Sequence, residues 1–166
     1  MKKLLLTILI LIIFHSPVLA GDSYENDCGG KISFKTVDVS VESKKNALAA
    51  YQIDIRYDKK KIKIVGLEGG SEGFREPPFY DRAGFKGGHI IIAAFVDNDT
   101  HAKKGMTRVA RLHLQTKGCP PYELKTEPMA AAKPGGKEIP VKVETAFVDG
   151  QSDNSKEDNT KSGGSI

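Results

Sequence analysis

Three histidines, two cysteines and one oxygen-rich loop are the residue groups downstream of residue 20 whose types could do chemistry. His89 and His113 fall in segments patterned as strands and His101 in a loop. Two imidazoles facing one another across a sheet would still lack the further ligands that zinc needs, so both read as solvent-facing strand histidines. Asp97, Asn98, Asp99 and Thr100 offer the oxygens that Ca²⁺ prefers, yet Asp-Asn-Asp is also ordinary turn chemistry and no bidentate Glu completes a site. Asp153, Ser155, Glu157 and Asn159 mimic a calcium loop, but Asp158 stands at the obligatory Gly position and Gly164 at the final Glu. Paired carboxylates, a nucleophile with its base and a phosphate-binding loop do not emerge, which speaks against an enzyme and calls for no metal or cofactor.

A different kind of candidate lies in residues 74–81, where Phe74, Phe79 and Tyr80 sit in a Gly- and Pro-rich stretch. Amphipathic aromatics carry much interface energy, so these three could form a recognition patch. The alternative is a loop folded back so that Phe79 and Tyr80 plug the edge of the fold. Trp, the residue most suited to a sugar-binding platform, is absent.

Alternation supplies the elements that must position these residues. In residues 47–57, Ala47, Ala49, Tyr51, Ile53, Ile55 and Tyr57 share one face while Gln52, Asp54 and Arg56 share the other, the pattern of a half-buried strand. Residues 61–68 continue with Ile62 and Ile64 toward the core, and 106–115 with Ala110, Leu112 and Leu114. Residues 89–97 contain Ile90-Ile91-Ile92-Ala93-Ala94-Phe95-Val96, apolar on both faces; that predicts a central strand covered on both sides, with a short buried helix as the competitor. The parity change between Ile32/Phe34 and Val37/Val39/Val41 predicts a bulge near Lys35-Thr36. Pro128 interrupts the chain after a short strand at 122–125, residues 129–132 fit strand or helix, and 138–148 read as a last strand with Pro140 at its start. Seven or eight short strands between turn signals specify an all-β, antiparallel sandwich.

Residues 1–20 have the layout of a secretory signal peptide: Lys2 and Lys3, an apolar run over residues 4–14, then small residues at Val18 and Ala20. A membrane anchor would need ~20 apolar residues rather than ~11, so no anchor is expected after cleavage. The chain is therefore read as secreted or periplasmic. Residues 21–33 form a lead-in, 34–148 the domain, and 149–166 a polar tail too poor in aliphatics to order. Without Lys2 and Lys3 the balance is 23 basic to 21 acidic residues, 23 − 21 = +2, too even to imply nucleic acid. In an oxidising compartment Cys28 and Cys119 read first as one disulfide, with two free thiols as the alternative.

The succession Val37-Asp38-Val39-Ser40-Val41, Ala50-Tyr51-Gln52-Ile53-Asp54-Ile55-Arg56-Tyr57-Asp58, Ile64-Val65-Gly66-Leu67-Glu68-Gly69-Gly70, Gly88-His89-Ile90-Ile91-Ile92-Ala93-Ala94-Phe95 and Gly105 leading to Val109-Ala110-Arg111-Leu112-His113-Leu114 resembles the cohesin domain over residues 34–148. The resemblance implies a jelly-roll β-sandwich related in fold to some carbohydrate-binding modules, and a non-catalytic module for protein–protein adhesion or scaffolding. Its partner would be another extracytoplasmic protein, a dockerin-like one among the options, or alternatively a polysaccharide. No dockerin contact residue carries over individually.

Overall fold

The computed structural model describes residues 29–71 and 73–148; the expected signal peptide, most of the expected lead-in, Cys28 and the expected tail lie outside the described residues. Among the described residues eight strands, one short α-helix and a 3-10 turn follow in order: β1 Ile32–Glu42, β2 Ala50–Tyr57, β3 Ile62–Gly69, β4 Phe79–Tyr80, α1 Gly84–Gly87, β5 His89–Phe95, the 3-10 turn Asp99–His101, β6 Met106–Lys117, β7 Leu124–Ala132 and β8 Lys142–Val148. They pair antiparallel into two four-stranded sheets, ordered β3-β6-β1-β8 and β4-β5-β2-β7. The all-β sandwich expected from the alternation is the observed fold.

One apolar cluster fills the space between the sheets. Val37, Val39, Val41, Leu112 and Leu114 come from the first sheet, and Ile53, Ile55, Ile90 and Ile92 from the second, all buried. Each fully buried aliphatic side chain contributes about 1.5–3 kcal/mol relative to exposure, so this cluster dominates the favourable side of folding. Tyr51 carries its hydroxyl into the same interior and donates to the Val109 carbonyl at 3.0 Å, bridging the two sheets; burial pushes that hydroxyl's pKa well up.

Irregularities fall at places the alternation did not mark. Strand β1 runs unbroken through Lys35-Thr36; its register against β6 shifts instead between Val39 and Ser40, leaving Val109 as the extra residue opposite. Ile32 and Phe34 simply point outward, at 55% and 72% exposure, so their parity needs no bulge to explain it. In β3 a shift between Ile64 and Gly66 makes Val65 the extra residue and brings Leu67 opposite the buried Leu112. Pro128 does not end its strand. Strand β7 lies at the edge of its sheet, where a missing N–H costs no ladder bond, and a register shift leaves Met129 bulged beside it.

The outer face of the first sheet carries an internally paired polar cluster beside the exposed Ile32 and Phe34. The Asp38 carboxylate accepts from Arg111 Nε at 2.6 Å and from Nη2 at 3.0 Å, with Arg108 Nη1 at 3.5 Å, and His113 Nε2 lies 2.8 Å from Glu68 Oε1. The hydrogen bond from Arg111 holds the Asp38 carboxyl below its ordinary pKa in spite of partial desolvation. A depressed carboxylate pKa stabilises the fold above the unfolded value and loses that contribution as pH falls through the folded one. Asp38→Asn is therefore expected to flatten the acid limb of a stability-versus-pH curve below about pH 4 while lowering stability at neutral pH. An acid limb of unchanged slope in chemical denaturation would remove Asp38 from this role.

Backbone contact sets a second constraint. A Cβ on Gly69 would lie 1.9 Å from the Arg75 carbonyl oxygen, because the loop after β3 folds back onto that strand, whereas a Cβ on Gly87 would meet nothing within 4 Å. Gly69→Ala should lower the melting temperature by on the order of 5–10 °C, and Gly87→Ala should leave it unchanged or slightly raised. Equal melting of the two variants would show that the loop does not sit where it is described.

Candidate functional site

Alternation along β2 and β5 decides what the outer face of the second sheet presents. Inward residues Tyr51, Ile53, Ile55, Ile90 and Ile92 leave Gln52, Asp54 and Arg56, together with His89, Ile91, Ala93 and Phe95, pointing away from the core. Strand β5 is central within its sheet, between β4 and β2, but it is covered on one side only. The expectation of cover on both faces is thus corrected: Ile91 and Ala93 are half-buried, and Phe95 is 66% exposed. Apolar residues on both faces of this strand reflect a core on one side and an apolar surface on the other.

Phe79 supplies the second half of that surface. Strand β4 pairs with β5 so that Phe79 lies opposite Ala93, and its ring stacks on Phe95 with centroids 6.2 Å apart and planes 16° from parallel. Phe79 is 69% exposed, and the bulged Met129 on β7 adds an exposed thioether that accepts from Gln52 Nε2 at 3.5 Å. Aromatic pairs and Met left in water are the composition of an interface core rather than of an idle surface.

The three aromatics of the 74–81 stretch separate. Phe74 turns inward to 2% exposure and packs edge-on against Tyr51 at 5.2 Å, so it supports the core and is withdrawn from the patch. Tyr80 is half-buried and stacks on Phe85 of α1 at 5.0 Å, tying the helix to the sheet. Phe79 alone of the three reaches the outer face fully. Beside it, a groove of about 630 Å³ opens between the loop after β3 and the loop after β5, lined by Phe74, Pro77, Phe79, Phe95, His101 and Lys103. Gly73, at φ +83°, permits this meeting of loops: a Cβ there would lie 2.6 Å from the His101 carbonyl oxygen.

At the opposite end of the same face the surface becomes charged. The Asp54 carboxylate is 9% exposed and accepts from Arg56 Nε at 3.0 Å and Nη2 at 2.8 Å on one oxygen. His89 Nε2 stands 2.8 Å from its other oxygen, off the line of a directed hydrogen bond. The face thus grades from apolar at Phe79, Phe95 and Met129 to polar at Arg56, Asp54 and His89.

The remaining sequence candidates disperse. His89 and His113 lie in different sheets and on opposite outer faces of the sandwich, His89 beside Asp54 and His113 beside Glu68. Among the described residues no group of three metal-ligating side chains comes together. In the 97–100 loop Asn98 Oδ1 accepts from the Thr100 N–H at 2.9 Å and Asp97 Oδ1 pairs with His101 Nδ1 at 2.9 Å, so these two oxygens bond locally. Phe95 and Met129 were missed as surface residues; the available signal was an antiparallel strand apolar on its solvent side, an arrangement that antiparallel sheets normally avoid.

No protein-family model matches the chain, and no curated protein matches it. Two solved structures do. One is a chain of the Coh-OlpA–Doc918 complex, a type I cohesin–dockerin complex from Clostridium thermocellum, at 18% identity and TM-score 0.51, covering 68% of this chain and 83% of that one. The other is a chain of a CaDoc0917–CaCohA2 complex, at 15% identity and TM-score 0.51, covering 68% and 84%. Similarity at this identity speaks for architecture, and it agrees with the two-sheet topology: this chain has a cohesin-like β-sandwich fold.

Proposed function

We propose that this chain is an exported, non-catalytic recognition module that binds another protein through the outer face of the β4-β5-β2-β7 sheet. The observation that carries the reading is the stacked, solvent-exposed Phe79–Phe95 pair, on the same face as the exposed Met129 that Gln52 contacts from β2. Exposed stacked aromatics match the anatomy of protein interfaces, in which a few aromatic anchors supply most of the energy. The similar chains come from complexes of cohesins with dockerins, so a dockerin-like protein is the partner class these comparisons favour. A second reading, a polysaccharide ligand, draws on the groove beside the pair, where aromatic rings meet a polar rim of Glu76, Asp97 and His101.

Immobilised chain exposed to the native secretome should capture a stoichiometric protein partner. Phe95→Asp should weaken that capture by at least about tenfold, and Phe34→Asp, on the other sheet, should not. Undiminished capture by Phe95→Asp would refute the assigned face. Strong signals on a glycan array that vanish with Phe79→Ala would favour the polysaccharide instead.

We also propose that export joins Cys28 to Cys119. Ile32 pairs with Lys117, and the Gly118 N–H donates to the Lys31 carbonyl at 3.0 Å, which brings Cys119 alongside the segment leading back to Cys28. Cys28 stands only three positions before Lys31, a length of chain that can return to Cys119. Closing a loop of about 91 residues would add roughly 4–5 kcal/mol on the chain-entropy account. The exported chain should begin at Gly21 and weigh two hydrogens less than its dithiol form, and Cys119→Ser should lower its melting temperature by on the order of 10 °C. Two alkylatable thiols in the native chain would contradict the bridge.

A further inference from the structure

The sandwich has four sheet edges, and three of them are blunted against further pairing. Strand β4 is two residues long. Strand β3 is broken by the shift at Val65, and a loop folds over its end at Gly69. Strand β7 carries Pro128 and the Met129 bulge. Each is a recognised way of preventing edge-to-edge association.

Strand β8 has none of these devices. Its seven residues pair with β1 without a register shift, contain neither Pro nor Gly, and among the described residues pair with nothing on the other side. Lys142, the charge that would guard the edge, is bound to Glu144 at 2.8 Å. Val143, Thr145 and Phe147 lie opposite the fully buried Val41, Val39 and Val37 and therefore face the core side, yet Phe147 remains 43% exposed because the second sheet does not extend over it. A strand added beyond β8 would have to bring apolar residues at alternate positions to cover it.

The β8 segment itself meets that requirement. In an antiparallel two-fold pairing about Thr145, Val143 of one copy lies opposite Phe147 of the other, and Phe147 opposite Val143, giving two aromatic–β-branched pairs on the core side. On the outer side Lys142 opposes Val148 and Glu144 opposes Ala146, so no like charges meet. We propose that β8 is a self-association edge: two copies of this chain join β8 to β8, making one continuous eight-stranded sheet and leaving both Phe79–Phe95 faces free.

A single strand pair buries less than the ~1,200 Å² of a stable complex, so the dimer should be concentration-dependent. Sedimentation equilibrium of the exported chain from about 1 to about 500 μM should show mass rising toward twice the monomer's, the range in which such small interfaces associate. Phe147→Lys and Thr145→Lys should each weaken association at least about tenfold with circular dichroism melts still cooperative, whereas Phe79→Lys should leave it unchanged. Should Phe147→Lys fail to melt cooperatively, the exposed Thr145→Lys decides alone. A monomer throughout that range, or a dimer weakened by Phe79→Lys and indifferent to both β8 variants, would overturn the proposal.

Discussion

The contact of two apolar sheet faces, closed by the hydrogen bond from Tyr51 to the Val109 carbonyl, is the constraint from which the rest of the structure follows. Side chains in a strand alternate, so once Ile53, Ile55, Ile90 and Ile92 are committed to the interior, their neighbours must face outward whatever their polarity. The bulge that leaves Val109 unpaired in the ladder frees its carbonyl for the Tyr51 hydroxyl, and Phe74 packs against the same ring. A single interior arrangement thereby fixes the register of both sheets and draws the loop after β3 across the end of the sandwich.

That loop in turn sets the surface. Phe74 anchors it from below, Gly69 and Gly73 allow backbone to lie against backbone, and Phe79 emerges beside Phe95. The two outer faces consequently differ in make-up. On the first sheet Asp38 holds Arg108 and Arg111, and Glu68 pairs with His113, with Ile32 and Phe34 exposed further along β1. On the second, the aromatic pair and Met129 keep apolar area in water, and burying it on association would be favourable at roughly 25 cal/mol per Å².

Strand positions were legible in the sequence because a period of two is a local property: the alternation in residues 47–57 becomes β2 from Ala50 onward, and that in 106–115 lies within β6. Bulges were not, because an extra residue is defined only against its partner strand: the shift lies at Val39/Ser40, where β1 shows no irregularity of its own, rather than at Lys35-Thr36. Pro128 looked like an interruption because nothing in the sequence says that β7 is an edge. The aromatic stretch at 74–81 was recognisable as a group, but which ring turns inward depends on Tyr51, a residue 23 positions away from Phe74 in the chain. Phe95 was hidden by its own neighbours, since an apolar run reads as buried until the sheet above it proves to be missing.

Hydroxyl-radical footprinting of the free chain tests the central claim directly, because it reports side-chain access to water residue by residue. The account predicts that Phe79, Phe95 and Met129 oxidise readily while Tyr51 and Phe74 are protected. Protection of Phe79 and Phe95 to the level of Phe74 would mean that the outer face of the second sheet is covered, and would contradict the assignment of an open apolar surface there.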